Sequence, residues 1–599
     1  MKQRALYLLK TFLLTVVIFI IAKVAFMVCN YSEHPFTAGD IFNVIVHGLT
    51  LDLSTSLYFL ILPFLVVLVS IFWHKGNILT IILNAYHLVI AFALALTFVA
   101  DTSLYRFWQF KLDASCLQYL DTPTEAMASV STGYLLIRLV IIVILTILFY
   151  LGYARPHLHL CPSRHRLTES FVALICIPLI IVGIRGGLDE STTNIGQVYY
   201  SQKQFLNHSA VNPIFSFLSS FEKTASNIID YDFYADGQWQ EMTNGLYPTS
   251  SVDTDTLLQT TRPNVIIILM ESAGEVVSEY MPRLQQLKCE GISFDNCYAN
   301  SWRTDRGTVC TYSGYPSFPT SSVMKMPNKT RLLPGLAASL QKEGYDTHYL
   351  YGGDINFTNM RSYLIAGGFQ TLKWKNDYPA DEQRTSKWGV QDGITFKTLL
   401  QMATTAKSPY LIGFSTLSSH EPWDVPIKKY DDEVANAFYY LDQCIGAFVD
   451  EFKQKPQWQN TLIVLLPDHS IDYQDVHQDS ILRNQIPMVW IGGAVKAPRR
   501  ISTICNQTDL VATLLAQMQL PHETFRWSRD VLSRSYQYPF AMHTYRNGFC
   551  VVDSTGLMVY DFDSNRIVTD KSTDSQRLER MGKAILQATT NDLKSIGTE

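Results

Sequence analysis

The chain has 599 residues, 47% hydrophobic and 17% charged, with a formal net charge of −5, a length that allows more than one domain. A charge so small for the size carries no basic bias, so nucleic acid is not an expected partner. None of the ten cysteines falls in a CxxC pair, which leaves a zinc ribbon without support.

Nearly all long apolar runs precede residue 186. Five have the length and apolarity of membrane-spanning helices: Tyr7–Val28, Ser56–Trp73, Ile78–Ala100, Leu135–Tyr153 and Ser170–Ile184. The first follows Lys2 and Arg4 and is not followed by a small-residue cleavage site, so it reads as a retained span. Phe42–Leu53 is shorter and carries His47 and Asp52. It reads as an interfacial helix leading into the second span, with a sixth span as the alternative. Lys2, Arg4 and Lys10, then Lys75, then Arg155, Arg164 and Arg166 share one side if there are five spans. The positive-inside rule makes that side cytoplasmic and puts everything after Gly186 outside. The opposite loop, Asp101–Thr132, mixes both signs. The expected location is the cell (inner) membrane, multi-pass, with an extracytoplasmic, periplasmic second half.

Glu190–Pro263 is polar with aromatic patches and reads as a packed arm. Within it, Ala210–Phe217 suggests a helix entry at Asn212-Pro213. From Asn264 short apolar runs alternate with helical patterns. Strands are expected at Asn264–Met270, His348–Tyr351, Tyr410–Ser415, Leu462–Leu466 and Met488–Ile491. Helices are expected at Met281–Cys289, Arg331–Glu343, Lys387–Met402 and Asp431–Phe452. This alternation implies a mostly parallel sheet covered on both faces, with chemistry at the C-terminal strand ends. Asn506–Leu515 reads as a packing helix, and Phe549–Val568 as a small C-terminal antiparallel sheet. The expected organisation is therefore a transmembrane helix bundle over 1–186, linker or arm helices over 187–262, and an α/β catalytic domain over 263–599. Cys289, Cys297, Cys310, Cys444, Cys505 and Cys550 in the second half allow either disulfides or free buried thiols, since a domain this large needs no staples.

Three apolar runs release polar groups at the same proposed sheet edge. Glu271 follows VIIILM, Asp468-His469 follow LIVLLP, and His420 lies five residues after YLIGFS. Any one of these is commonly a helix cap. Together, carboxylates and imidazole make a mixed oxygen and nitrogen site suited to Zn²⁺ or Mn²⁺ and less to Mg²⁺. The fourth element is SWRTDRGTVCTYSGYP, Ser301–Pro316. Thr304 is expected to start a helix over Asp305–Ser313, either as its N-cap or as a nucleophile. Free N–H groups and the positive end of the helix dipole would favour a phosphate or sulfate there, and a metal would make the hydroxyl's alkoxide accessible.

Ser301–Pro316 resembles the nucleophile region of alkaline-phosphatase-like enzymes. In sulfatases a glycine lies ten residues after the nucleophile, and Gly314-Tyr315-Pro316 keeps that spacing from Thr304. Threonine in place of cysteine or serine rules out the formylglycine mechanism. It is the residue used by lipoteichoic acid synthases and by lipid A phosphoethanolamine transferases, which also have about five N-terminal spans and an extracytoplasmic sulfatase-like domain. The resemblance implies a metal site of Glu271, Thr304, Asp468 and His469 holding Mn²⁺ or Zn²⁺. It implies Thr304 as a nucleophile that carries a covalent phospho intermediate, and His420 in contact with the phosphate. Arg306 and Arg361 are candidates for binding the substrate's charge, as is Arg303.

The chain departs from the family in places. Lipoteichoic acid synthases bind phosphoglycerol with an F-W-N-R block. Here the stretch is Phe357-Thr358-Asn359-Met360-Arg361, so the tryptophan is absent and the arginine is shifted by one. The glycerol-phosphate preference is accordingly open. His477 stands where phosphoethanolamine transferases often supply a further histidine, though a solvated loop suits it as well. Cys161-Pro162-Ser163-Arg164 resembles the sulfatase signature C-x-P-S-R but lacks one residue and lies between two spans, so it is not expected to be catalytic. The implied function is transfer of phosphoglycerol or phosphoethanolamine from a membrane phospholipid to an envelope glycan or glycolipid. The alternative is a membrane-anchored phosphodiesterase or sulfuric ester hydrolase.

Overall fold

The computed structural model of the protein describes residues 2–73, 76–108, 111–112, 132–154, 160, 162–163, 165–201, 203–224, 228–474, 476 and 480–597. Lys75, Cys116, Arg155, Cys161, Arg164, His477 and residues 113–131 lie outside them. The chain divides into two compact units, Met1–Ser226 and Asn227–Glu599. The 187–262 segment is thus shared between them.

In the first unit, five helices among the described residues are long and apolar enough to cross a membrane: α1 (Lys2–Cys29), α2 (Ala38–Val69), α3 (Gly76–Trp108), α4 (Thr132–Ala154) and α5 (Arg166–Arg185). The separate interfacial helix expected at Phe42–Leu53 is instead the first half of the 32-residue α2. Thr37 and Asp40 start α2 with a capping box. Several of its polar residues are paired inside the bundle. Asp52 receives Lys23 of α1 at 2.7 Å and Asn212 Nδ2 at 2.9 Å, and Ser54 Oγ donates to Ile184 O at 2.7 Å. Two short helices follow, α6 (Gln204–Ala210) and α7 (Pro213–Thr224). Asn212 Oδ1 accepts the amides of Ile214 and Phe215 at 3.0 and 3.1 Å, so the Asn-Pro entry caps α7 as its sequence implies.

The second unit is built on an eight-stranded sheet ordered β5-β4-β6-β1-β7-β8-β2-β9. Its strands are β1 (Asn264–Met270), β2 (Ile292–Phe294), β4 (Asp346–Tyr351), β5 (Thr371–Trp374), β6 (Tyr410–Ser415), β7 (Thr461–Pro467), β8 (Met488–Ile491) and β9 (Arg499–Ile501). A two-stranded pair joins β3 (Cys297–Tyr298) to β10 (Cys505–Asn506). From β5 to β7 every pairing is parallel, and β8 runs antiparallel to β7 and β2. Alternate residues of β1 feed opposite cores: Val265, Ile267 and Leu269 pack on one face, Ile266, Ile268 and Met270 on the other. Burial on both sides is what makes such a strand read as an unbroken apolar run.

Helices cover both faces: α8 (Pro282–Glu290), α9 (Thr304–Ser313), α10 (Leu336–Lys342), α11 (Met360–Ala366), α12 (Asp392–Thr405), α13 (Glu433–Phe452) and α14 (Leu510–Gln517). Two differ from their expected spans. The Arg331–Glu343 pattern is interrupted at Pro334, whose ring and missing N–H break a helix, and α10 starts only after it. The Lys387–Met402 pattern loses its first residues to a turn at Ser386–Gly389. The C-terminal antiparallel sheet runs β11 (Phe540–Tyr545), β12 (Gly548–Asp553), β13 (Gly556–Asp561) and β14 (Arg566–Ser572), followed by α15 (Ser575–Ser595). Cys289, Cys297, Cys310, Cys444, Cys505 and Cys550 are all free thiols.

Candidate active site

Adjacent strands β6, β1 and β7 end together, and the chain places a polar group at each end. Glu271 follows β1, and its neighbour Ser272 sits at φ +58, an uncommon conformation for a residue with a side chain. Two bonds hold it there: Ser272 N donates to Asp468 Oδ1 at 2.9 Å and Ser272 Oγ to Glu271 Oε1 at 2.7 Å. Asp468 Oδ1 also accepts the His469 amide at 2.8 Å. Its other oxygen, Oδ2, is buried without a hydrogen-bond donor.

Thr304 is the first residue of α9, and the N-cap position belongs to Arg303, whose side chain makes no capping bond. Thr304 Oγ1 is therefore released from capping and donates to Glu271 Oε2 at 3.1 Å. Gly307 permits this approach: a Cβ there would strike the Asp468 carbonyl. Gln507 locks the same junction, its Nε2 donating to Asp468 O at 2.8 Å and Pro467 O at 3.1 Å.

His469 Nε2 lies 3.5 Å from Glu271 Oε1 and 3.6 Å from Asp468 Oδ2. Its Nδ1 pairs with Ser470 O at 3.0 Å. A carbonyl only accepts, so Nδ1 carries a hydrogen, and Nε2, which faces the carboxylates, is the nitrogen that can bind a metal once it is deprotonated. Ligand atoms of Glu271, Asp468 and His469 lie within 4.8 Å of one another. Burial, and next the Glu271 charge, push the Asp468 carboxyl up to about 7. Burial also opposes the Glu271 charge, but His469 and His420 hold its carboxyl below the usual range. Burial opposes the His469 charge too, yet the two carboxylates raise that imidazole. Two carboxylates in a dry site, one oxygen undonated and the free ring nitrogen of an imidazole facing them, fit a divalent cation bound by oxygen and nitrogen.

His420 follows β6 on a turn fixed from several directions. Asp392, the first residue of α12, accepts the amides of Leu417 and Ser418 at 2.9 and 3.0 Å. Burial lifts the Asp392 carboxyl to about 6 in spite of those amides. Ser419 Oγ donates to Glu271 O at 2.7 Å, and His420 Nδ1 pairs with Glu421 O at 2.9 Å.

The structure thus brings together Glu271, Thr304, Asp468, His469 and His420. The two arginines make their bonds elsewhere. Arg306 is buried and donates to Phe318 O and Thr320 O, both at 3.2 Å, which fastens the segment after α9. Arg361 donates to Asn356 Oδ1 at 2.7 Å and lies over the Trp374 ring. Ser272, Asp392 and Gln507 were not foreseen as parts of the site. Each acts on a residue far away in the chain, and no local pattern marks that.

A parallel-centred sheet covered on both faces, with the Thr304 helix and acid and imidazole groups at its strand ends, is an alkaline-phosphatase-like fold. An alkaline-phosphatase-superfamily protein of Vibrio parahaemolyticus has the same fold at TM-score 0.53 and 24% identity, over 61% of this chain and 97% of that one. So does the lipoteichoic acid synthase LtaP of Listeria monocytogenes, at TM-score 0.50 and 16% identity over 60% and 98%. Residues 263–520 match the sulfatase family model. Among curated relatives, phosphoglycerol transferase I of Xanthomonas euvesicatoria is 25% identical over 46% of this chain and 43% of its own length. Lipoteichoic acid synthase 2 of Bacillus subtilis is 25% identical over 48% and 49%. The chain spans less than half the length of these relatives.

Proposed function

We propose that the protein is a membrane-bound, metal-dependent transferase. It takes a phosphoglycerol or phosphoethanolamine head group from a membrane phospholipid, holds it on Thr304, and passes it to an envelope glycan or glycolipid. One observation carries this reading: the Thr304 hydroxyl, uncommitted to capping, donates to Glu271 at 3.1 Å beside Asp468 and His469. The names of the curated relatives support phosphoglycerol over phosphoethanolamine.

In the first half-reaction Thr304 Oγ bonds to phosphorus as the bond from phosphorus to the diacylglycerol oxygen breaks. The Thr304 proton leaves toward Glu271 Oε2, and the departing oxygen is protonated from His420 Nε2, the ring nitrogen not committed to Glu421 O. In the second half-reaction an acceptor hydroxyl gives its proton to His420 Nε2 and bonds to phosphorus as the bond from phosphorus to Thr304 Oγ breaks, and Thr304 Oγ takes its proton back from Glu271 Oε2. Glu271, Asp468, His469 Nε2 and Thr304 Oγ would hold Mn²⁺ or Zn²⁺, which lowers the pKa of a bound hydroxyl and offsets phosphoryl charge. Loop charge supports an extracytoplasmic site. Five membrane helices exceed the needs of a tether, and a lipid donor gives them a purpose.

The test is the full-length protein in detergent with Mn²⁺ and phosphatidylglycerol or phosphatidylethanolamine bearing a fluorescent acyl chain. Release of fluorescent diacylglycerol that disappears in Thr304→Ala is expected. Free phosphoglycerol as the sole product in the presence of membrane glycolipid would replace transfer with hydrolysis.

A further inference from the structure

The stretch from Ser386 to Asp392 grips the His420 turn at two points. On one side Asp392 accepts the Leu417 and Ser418 amides. On the other, Trp388 Nε1 donates to Glu421 O at 2.6 Å, the same oxygen that pairs with His420 Nδ1 at 2.9 Å. The Trp388 and His420 rings also meet edge to face, with centroids 4.8 Å apart. A carbonyl oxygen only accepts, so His420 Nδ1 must carry its hydrogen, and Nε2 is the nitrogen left for chemistry.

The gripping stretch is itself seated. Ser386 and Gly389 pair across a tight turn. Gly389 lies at φ +150, where an added Cβ would strike the Gly352 carbonyl beyond β4, and Val390 N donates to that carbonyl at 2.9 Å. Phe357, 44% exposed, packs on the outer side of Trp388 with centroids 6.3 Å apart. Phe357 begins a strained stretch, with Thr358 and Asn359 at φ +55 and +65.

We infer that Trp388 is a positioning residue: its indole N–H and ring edge, with Asp392 on the far side of the turn, fix the tautomer and pose of His420 for phosphoryl transfer. The inference rests on the role given to His420 above.

The full-length enzyme, assayed for fluorescent diacylglycerol release from labelled phosphatidylglycerol with Mn²⁺, tests it through Trp388→Phe, Trp388→Ala, His420→Ala, the double variant Trp388→Ala/His420→Ala, and Thr304→Ala. Trp388→Ala should lower kcat about 20-fold with KM changed less than about 3-fold, the pattern of an interaction that matters in the transition state. Trp388→Phe keeps the ring edge and loses the N–H, and should fall between. Added to His420→Ala, Trp388→Ala should change the rate less than about 2-fold, because residues acting through one another are not additive. Equal factors in both backgrounds overturn the inference, as does a wild-type kcat in Trp388→Ala. If Trp388→Ala does not fold, Trp388→Phe carries the same comparison. A silent His420→Ala overturns the clamp together with the role of His420. Impaired His420→Ala and inactive Thr304→Ala beside an unaffected Trp388→Ala overturn the clamp alone.

Discussion

Asp468 Oδ2 is a carboxylate oxygen, on a residue 1% exposed, with no donor to meet it. Such an atom is expensive in a folded protein unless a cation answers it. Adding Mn²⁺ or Zn²⁺ to metal-stripped protein should therefore raise Tm, by about 2.7 kcal/mol of stability at one hundred times Kd. Asp468→Asn should lose most of that gain. A Tm indifferent to both metals in the native sequence would contradict the site. A second residue tests acid behaviour. His543 is 3% exposed, its Nδ1 pairs with Ala299 O at 3.0 Å, and burial, with Arg483 nearby, depresses it to about 3. Its folded value lies below the ordinary 6.5, so the stability it lends is complete above pH 6.5. It drains as pH falls toward 3, at about 1.4 kcal/mol per unit. Thermal scans between pH 7 and pH 4 should show this acid limb, flattened in His543→Gln.

At the scale of elements, what the sequence revealed tracks what buries on both faces. Asn264–Met270, Tyr410–Ser415 and Met488–Ile491 form the strands their apolar runs imply, and all their residues are buried. Strands β5 and β9 lie at the sheet edges, partly exposed, with Lys373, Arg499 and Arg500 among their residues. Charged edge strands lack the apolar signal. The Thr304 helix was legible from its polar start, but its cap was not, since only the fold shows the hydroxyl turned to Glu271. The partners of Arg306 were not legible for a related reason: the carbonyls of Phe318 and Thr320 that engage it carry no trace in its own neighbourhood. Two substitutions probe this scale. Gly307→Ala should drive α9 off the Asp468 turn and cut turnover far more than it lowers Tm. Asp509→Ala should be a stability lesion, because Arg529 bonds Asp509 at 2.7 and 2.8 Å with both side chains at most 1% exposed. Removing one partner of a buried pair costs roughly 3–5 kcal/mol, readable by denaturant titration.

Over the whole molecule, one chain joins five apolar helices to an α/β domain that matches the sulfatase family model over residues 263–520. The bundle carries its own buried ion pair, Lys23 with Asp52 at 2.7 Å and exposures of 1% and 0%. Ionised groups inside membrane helices persist only when paired, so Asp52→Ala should lower the thermostability of the detergent-solubilised protein while Thr304 chemistry persists in the fraction that stays folded. The central claim is that both halves serve a phosphoryl group that rests on Thr304. Peptide mass spectrometry of full-length protein quenched during turnover of phosphatidylglycerol with Mn²⁺ tests it most directly. The account predicts a phosphoglycerol adduct on the peptide containing Thr304, which is lost in Thr304→Ala together with diacylglycerol release. An adduct on another residue, or undiminished release by Thr304→Ala, would contradict it.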